Sequence, residues 1–273
     1  MAGVSLTLLW LDAELEELWT APADSPAFRR GAVEGQVALS DAELAQEAEA
    51  VAVIPKASAA SREAGAAIAA GLAKVARMLD EQADELGRID RIAGDGDHGI
   101  GMQRGSKAGS AGAAQAAGGG AGARTVLEFA GDAWGNRGGG TSGAIWGEML
   151  IALGKSLGDD REITADDVAN GVTSAKDAVM SFGKAKVGDK TMVDAIVPFA
   201  DTLAARVAAG DGLVEAWSAA ADASQAAATA TADITARLGR ARSHGEKSKG
   251  TPDPGAISFA LVVATVLDEL KGK

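Results

Sequence analysis

The sequence predicts an all-α fold with seven or eight helices. Long Ala-rich stretches place apolar residues at helical spacing, and the β-branched alternation that marks strands is rare. Aromatic residues make up 4% of the chain, and Tyr is absent. With 273 residues, 47% of them hydrophobic, the chain can bury a substantial core as one large domain, or as one domain with an appendage.

The N-terminal part differs in pattern from the remainder. Residues 4–11 alternate in part and predict a strand, and Glu14 to Trp19 predict a short helix. Chain-breaking residues at 21–26 end this unit. Residues 30–60 are rich in Ala and Glu with little apolar periodicity, which predicts a linker with room for one helix.

Four helices are predicted between residues 61 and 157. The first runs from Ser61 to about Arg88, and Asp90 continues its apolar stripe, so its side chain is expected to point toward the loop that follows. The second begins after Gly99, the third covers Arg124 to Trp134, and the fourth covers Ser142 to Leu157. The 36 glycines are expected to cluster in loops, and Gly109 to Gly122 predicts a flexible one.

The C-terminal part predicts four more helices. Thr164 and Asp167 form a capping-box pattern that opens a helix reaching Phe182. Two further helices follow, over Gly188 to Ala209 with a kink at Pro198 and over Leu213 to Leu238. Asp253 as N-cap and Pro254 at the first helical position begin the last helix.

Charge and composition exclude several classes of function. The net charge of −12 argues against nucleic acid and anionic membranes as partners. The chain has no Cys, which fits a cytoplasmic location. It shows neither a signal-peptide pattern nor an apolar run of about 18 residues, so neither export nor membrane spanning is expected.

The most informative segment is the acidic loop, residues 90–99, which places Asp90, Asp95 and Asp97 beside His98. Crowded carboxylates repel one another unless a cation joins them, and oxygen ligands suit Mg²⁺. The loop also matches the spacing of a dinucleotide fingerprint, but a helix precedes it and its carboxylates would repel phosphate. Spacing alone leaves two interpretations open, a metal site and a solvated turn that caps the next helix.

Three other segments are candidates for binding anions. Gly138 to Gly143 ends in a helix, so it is either an anion site with the hydroxyls of Thr141 and Ser142 or a glycine-rich turn with Ser142 as N-cap. Gly183 to Thr191 resembles a P-loop, but no strand precedes it, so a capped turn is favoured. Residues 237–249 carry five basic residues and one acid, which is typical of a solvated loop or of a phosphate-facing one.

Taken together, these motifs resemble a known family. The motifs are Asp90-x4-Asp95-Gly-Asp97-His98-Gly99, Gly139-Gly-Thr-Ser-Gly143, Gly188-Asp-Lys-Thr-Met192-Val-Asp194 and Gly239-Arg-Ala-Arg…Gly245-Glu…Pro252-Asp-Pro-Gly255. In this order they are similar to the nucleotide-binding domain of dihydroxyacetone kinases, the DhaL or Dak phosphatase domain. The resemblance extends from about residue 61 to the C-terminus.

The resemblance implies a fold and a site. The fold is an eight-helix antiparallel up-and-down barrel that binds ATP or ADP at one end with two Mg²⁺ ions. Asp90, Asp95 and Asp97 match the metal ligands, and Arg240 matches a residue that assists catalysis with them. The positions that match the nucleotide contacts are His98, Gly99, Thr141, Ser142, Gly183, Met192, Arg240, Asp253, Pro254 and Gly255. Gly101 departs from some relatives, which have Asn near the phosphates, so the resemblance implies no side-chain contact at this position.

The resemblance also implies an activity and a partner. Residues 1–30 are similar to the end of the family's substrate-binding (DhaK-like) lobe, residues 31–60 to a linker, and residues 61–273 to the ATP-binding domain. The implied reaction is ATP- and Mg²⁺-dependent phosphorylation of a primary hydroxyl of dihydroxyacetone or of a short ketose such as erythrulose. The ketose would be bound by a lobe in the same or a partner chain, and a homodimer is compatible. Two alternatives stay open, an FAD-AMP lyase that forms cyclic FMN and an ADP-carrying phosphorelay or regulatory subunit.

Overall fold

The structure is a computed structural model that describes residues 10–22, 24–25, 28–29 and 54–272. The chain divides into two units, Met1–Val53 and Ile54–Lys273. In the first unit, α1 (Ala13–Thr20) begins at Asp12, whose carboxylate accepts a 2.9 Å hydrogen bond from Leu15 N. The helix predicted over Glu14 to Trp19 is therefore confirmed.

The rest of the first unit is described in part. The two-residue strands β1 (Asp24–Ser25) and β2 (Phe28–Arg29) pair antiparallel, with Asp24 opposite Arg29. Most of the strand predicted over residues 4–11 lies outside the described residues, and so does the part of the predicted linker that precedes Ile54. The domain boundaries expected at residues 30 and 60 remain predictions.

The second unit is helical, which confirms the predicted all-α class. Its described residues form nine α-helices, which are α2 (Ala59–Glu81), α3 (Ala83–Ala93), α4 (His98–Gly118), α5 (Ala123–Gly138), α6 (Gly140–Leu157), α7 (Ala165–Gly183), α8 (Val193–Ala208), α9 (Leu213–Ala230) and α10 (Pro254–Lys271). Two 3-10 segments, Thr231–Asp233 and Arg240–Ser248, lie between α9 and α10.

Eight of these helices form a closed ring. α2 packs on α4, each helix from α4 to α9 packs on the next one along the chain, and α10 packs back on α2. Short connections between neighbouring helices are typical of up-and-down antiparallel packing. The ninth helix, α3, packs on α4, α10 and the Arg240–Ser248 segment, which brings the end of α3 to the start of α4 and α10.

Several predicted helix boundaries are corrected. The helix predicted from Ser61 to Arg88 is interrupted at Gln82, where α2 ends and α3 begins. The helix predicted from Gly188 begins at Val193, after a turn. The helix predicted to reach Leu238 ends at Ala230. The capping box of Thr164 and Asp167 and the N-cap of Asp253 are confirmed.

The flexible loop predicted over Gly109 to Gly122 is wrong, because its residues up to Gly118 belong to α4. The glycines there let α4 approach α5 closely. A Cβ added at Gly109 would lie 3.0 Å from Trp134 Cε3, and one added at Gly112 would lie 2.6 Å from Phe129 O. The lack of side chains therefore serves helix packing, which outweighs the low helix propensity of glycine.

Aromatic rings fill the middle of the ring of helices. Trp134 and Trp146 are buried and stacked, with centroids 5.0 Å apart and planes 12° from parallel. Phe259 lies against Trp146, and its ring meets Phe199 edge-on at 5.7 Å. Trp134 and Trp146 are thus part of the core of the second unit. Among the described helices, none is long and apolar enough to cross a membrane.

Candidate functional site

The acidic loop connects α3 to α4 and folds back onto Asp90. Asp90 lies in the last turn of α3, and its Oδ2 accepts hydrogen bonds from Gly96 N (2.9 Å) and His98 N (3.2 Å). Gly96 has φ of +81°, a conformation that favours glycine. The predicted orientation of Asp90 toward the loop is therefore confirmed.

Three carboxylates converge in this loop. Asp90, Asp95 and Asp97 each offer one oxygen, and these oxygens lie within 4.8 Å of one another. Asp90 is half-buried, and the other two side chains are exposed to solvent. Three hard oxygen donors at this separation fit a divalent cation such as Mg²⁺, which commonly keeps further positions for water or phosphate oxygens. The donor set thus fits the metal that the family resemblance implies.

His98 connects the loop to α10. Its Nε2 lies 3.0 Å from Ser258 Oγ, one turn into α10. Burial lowers the pKa of His98, while the Asp90 charge and a hydrogen bond with the Pro254 backbone oppose that shift. Gly99, the next residue, packs so closely on Ala83 O that any side chain there would collide with the start of α3. The acidic loop and the start of α10 therefore lie side by side.

The glycine-rich motif after α5 is a helix start. A single residue, Gly139, with φ of +67°, separates α5 from α6, so Ser142 is the third residue of α6 and not its N-cap. No side chain caps α6, and the first amides of a helix have no intrahelical acceptor. A Cβ added at Gly101 would lie 3.0 Å from Gly138 O, so this helix start adjoins the first turn of α4.

The Gly188–Met192 turn is fixed by a carboxylate. Asp194 accepts hydrogen bonds from Gly188 N (2.5 Å) and Thr191 N (2.8 Å). Lys190 has a left-handed backbone, with φ of +61°, and its side chain is buried. Because its ammonium points into the protein, the turn does not function as a P-loop does.

The start of α10 lies against this turn. A Cβ added at Gly255 would lie 3.4 Å from Met192 Cβ, so the two predicted contact residues are neighbours. Asp253 caps α10 by accepting a 2.8 Å hydrogen bond from Ala256 N. Burial, with smaller contributions from the charges of Asp194 and Asp90, raises the pKa of Asp253 to about 7.

Two predicted residues are placed less fully. Gly183 ends α7, and a Cβ added there would lie 3.6 Å from Ile145 Cδ1, close to the start of α6. Arg240 begins the 3-10 segment that packs on α3. The side chains of Arg240 and His244 lie outside the described part of the chain, so the role of Arg240 remains a prediction.

The structure adds Ser258 and Lys190 to the residues that sequence reasoning selected. Ser258 lies one turn after Pro254, on the face of α10 that meets His98, so the helical period could have pointed to it. Lys190 was part of a recognised motif, but its partners are distant in sequence.

The fold and the site define a helical domain with an acidic loop and a glycine-rich helix start at one end. Residues 92–268 match the DAK2 domain, and the chain belongs to the DAK2 domain family. The resemblance drawn from the motifs is thereby confirmed.

Individual relatives agree with this assignment. The chain is 52% identical to L-erythrulose kinase of Pectobacterium atrosepticum over 266 residues, which are 97% of this chain and 45% of that protein. It is 31% identical to the PEP-dependent dihydroxyacetone kinase 2, ADP-binding subunit DhaL of Listeria innocua, over 71% of this chain and 89% of that protein. The chain thus spans about half the length of the erythrulose kinase and most of the DhaL subunit.

A solved structure has the same fold. The dihydroxyacetone kinase from C. freundii in complex with AMP-PNP and Mg²⁺ superposes with a TM-score of 0.58 at 22% identity. The match covers 87% of this chain and 38% of that one.

Proposed function

We propose that this chain is the nucleotide-binding module of an ATP- and Mg²⁺-dependent kinase that phosphorylates a primary hydroxyl of a short ketose, dihydroxyacetone or erythrulose. The observation that carries the proposal is the convergence of three carboxylate oxygens within 4.8 Å, at the end of the domain where α6 begins. The similarity to proteins named as an L-erythrulose kinase and as the ADP-binding subunit of a dihydroxyacetone kinase also supports it.

The acidic loop is the proposed metal site. Asp90, Asp95 and Asp97 would hold Mg²⁺, with two ions as the family resemblance implies. Bound Mg²⁺ would neutralise the negative charge of the phosphates. Asp90 is oriented for this role because two backbone amides of the loop, Gly96 N and His98 N, hold its Oδ2.

The nucleotide is proposed to lie between the helix starts. The uncapped amides of α6 and the hydroxyls of Thr141 and Ser142 suit the phosphates, since a helix N-terminus attracts anions. Gly183, Met192, His98, Gly99 and the Asp253–Gly255 start of α10 would contact the remainder of the nucleotide. Arg240 would stabilise the charge that develops during transfer.

Ketose binding is assigned to a substrate-binding lobe in the same or a partner chain. The erythrulose kinase relative is about twice as long as the matched region. We propose that residues 1–30 resemble the end of such a lobe and that residues 31–60 serve as a linker. By itself, the 273-residue chain should then bind nucleotide but phosphorylate little ketose until the lobe is supplied.

Calorimetric titration with ATP tests the proposed site. We expect binding that depends on Mg²⁺, and Asp95→Asn and Asp97→Asn should each weaken it about tenfold or more, since each removes a charged metal ligand. Asp84→Asn, which changes an exposed carboxyl in the first turn of α3, is the matched control and should bind as the wild type does.

Two results would contradict the proposal, the absence of Mg²⁺-dependent ATP binding and unchanged binding in both loop variants. Mixing the chain with a substrate-binding lobe and screening short ketoses for ADP release then tests the kinase activity. Formation of cyclic FMN from FAD, without ADP release from any ketose, would favour the lyase instead.

A further inference from the structure

Lys190 is a buried lysine whose ammonium is bound by the backbone. Its side chain is 4% exposed, and Nζ donates hydrogen bonds to Ile234 O (3.0 Å), Ser248 O (2.5 Å) and Thr251 O (2.7 Å). An ammonium has three protons, so all of its donors are used within the protein. Lys190 is therefore not available to bind a phosphate.

The three acceptors stand at the two ends of one segment. This segment comprises residues 234–251. Ile234 lies at its first end, directly after the 3-10 turn Thr231–Asp233, whereas Ser248 and Thr251 lie at its other end, after Arg240. Neutral hydrogen bonds also join the ends, from Gly250 N to Ala232 O (2.9 Å) and from Ala236 N to Ser248 Oγ (3.0 Å). Hydrogen bonds from a charged donor are about twice as strong as neutral ones, so the ammonium adds most to this closure.

The same lysine adjoins the start of α10. Thr251 O lies two residues before the N-cap Asp253. Burial lowers the pKa of Lys190, and the charges of Asp253 and Asp233 oppose that shift. On the other side, the Lys190 turn bonds to the segment through Arg237 N and Asp189 O (3.0 Å). The Gly188–Met192 turn thus contacts both the basic segment and the start of α10, which carry several of the proposed nucleotide contacts.

We infer that Lys190 is a positioning residue of the nucleotide site, whose ammonium holds residues 234–251 and the start of α10 in the arrangement that binds the nucleotide. The inference rests on the proposed function for its nucleotide part. The hydrogen bonds by which Lys190 joins the two ends of the segment do not depend on that proposed function. Burying an ammonium is expensive, and the three carbonyl oxygens compensate for the lost hydration.

Lys190→Met tests the inference, because Met keeps the length of the side chain and removes the three donors. With the segment released, we expect trypsin to cut at its basic residues, from Arg237 to Lys249, about tenfold faster. The dissociation constant for Mg²⁺-ATP should rise about tenfold when only about a tenth of the molecules keep the segment ordered, because the apparent constant varies inversely with that fraction.

Two control variants separate positioning from stability. Lys176→Met removes a lysine on α7 that pairs with Asp201 (3.1 Å) and should leave cleavage of the segment and ATP affinity unchanged. Gly112→Ala destabilises the packing of α4 on α5 without contact to the segment. If Lys190→Met matches Gly112→Ala in both readouts well below their melting temperatures, Lys190 is a stabilising residue alone and the inference is wrong.

Hydrogen exchange of the wild-type protein decides the question even if Lys190→Met does not fold. Amides of residues 240–248 should be protected without nucleotide, because Lys190 holds the segment in advance. If these amides exchange as fast as those of an unfolded chain when nucleotide is absent, the inference is overturned, whether or not added nucleotide slows the exchange. If the wild type binds no Mg²⁺-ATP, the proposed function fails, while trypsin and exchange still test the closure by Lys190.

Discussion

At the scale of single residues, Asp253 shows how the surroundings set the state of a carboxyl. Its N-cap hydrogen bond from Ala256 N and the nearby Lys190 ammonium favour the carboxylate. Burial opposes them more strongly, and the charges of Asp194 and Asp90 add to it, so the pKa rises to about 7. The carboxyl is therefore protonated over part of the neutral range when the site is empty of cations.

This shift predicts a dependence of stability on pH. The carboxyl of Asp253 has an ordinary pKa of 3.8, against about 7 in the folded protein. Between these values the unfolded chain is ionised and the folded chain holds the proton, so stability falls as pH rises from about 4 to about 7 and levels off above. Asp253→Asn keeps the cap acceptor and should flatten this part of the curve.

Urea unfolding at several pH values, with EDTA to remove cations, measures the effect. A slope for Asp253→Asn equal to that of the wild type between pH of about 4 and about 7 would show that another group causes the dependence.

At the scale of elements, α4 depends on glycines that face α5. Gly112 is buried, and a Cβ there would meet Phe129 O at 2.6 Å and Ala133 Cβ at 3.1 Å. Gly118, at the end of the same helix, has no atom within 4 Å of an added Cβ. The two positions therefore separate helix propensity from helix packing.

Alanine at these two positions should have opposite effects on stability. Gly112→Ala forces the backbones of α4 and α5 apart and should lower the free energy of unfolding by about 1–3 kcal/mol. Gly118→Ala should be neutral or stabilising by up to about 1 kcal/mol, because alanine favours the helix. Chemical denaturation of both variants checks this, and equal effects would mean that α4 does not pack as described.

The outcome for the helices shows what sequence can predict. Thr164 with Asp167 and Asp253 with Pro254 mark helix starts through contacts within one turn, so both starts could be predicted. The helical state of Gly109 to Gly118 could not, because it depends on the surface of another helix. Tertiary packing against α5, which local helix propensity does not include, makes that segment helical.

The candidate site, like the helices, could be predicted from the sequence only in part. Asp90, Asp95 and Asp97 lie within eight residues, so their convergence followed from a helix stripe and a short loop. The contacts of Lys190 could not be predicted, since its acceptors lie 44, 58 and 61 residues away. Backbone carbonyls are common to every residue, so the sequence around an acceptor gives no sign of it.

At the scale of the whole molecule, the second unit contains its own core. Every buried residue of the described chain belongs to residues 54–272, and α1 buries none of its residues. The ring of eight helices and the site at its end are built from this unit. The core therefore does not require the described parts of the first unit.

A chain that begins at Ile54 should keep its stability and its nucleotide affinity. We expect a melting temperature within about 2 °C of that of the full chain, since a loss of 1 kcal/mol would shift it by only a few degrees. Differential scanning calorimetry and ATP titration measure both quantities. A fall of about 10 °C would show that residues before Ile54 contribute to the core of the second unit.

The stacked tryptophans have an optical consequence. The chain has five Trp and no Tyr, so its near-ultraviolet spectrum comes chiefly from indole rings. Trp134 lies against Gly138, and Trp146 follows Ser142 by one turn of α6. A shift of the α6 start would change the overlap of two rings whose centroids are 5.0 Å apart. A ligand that moves the start of α6 would therefore change the near-ultraviolet signal of this tryptophan pair, without an attached label.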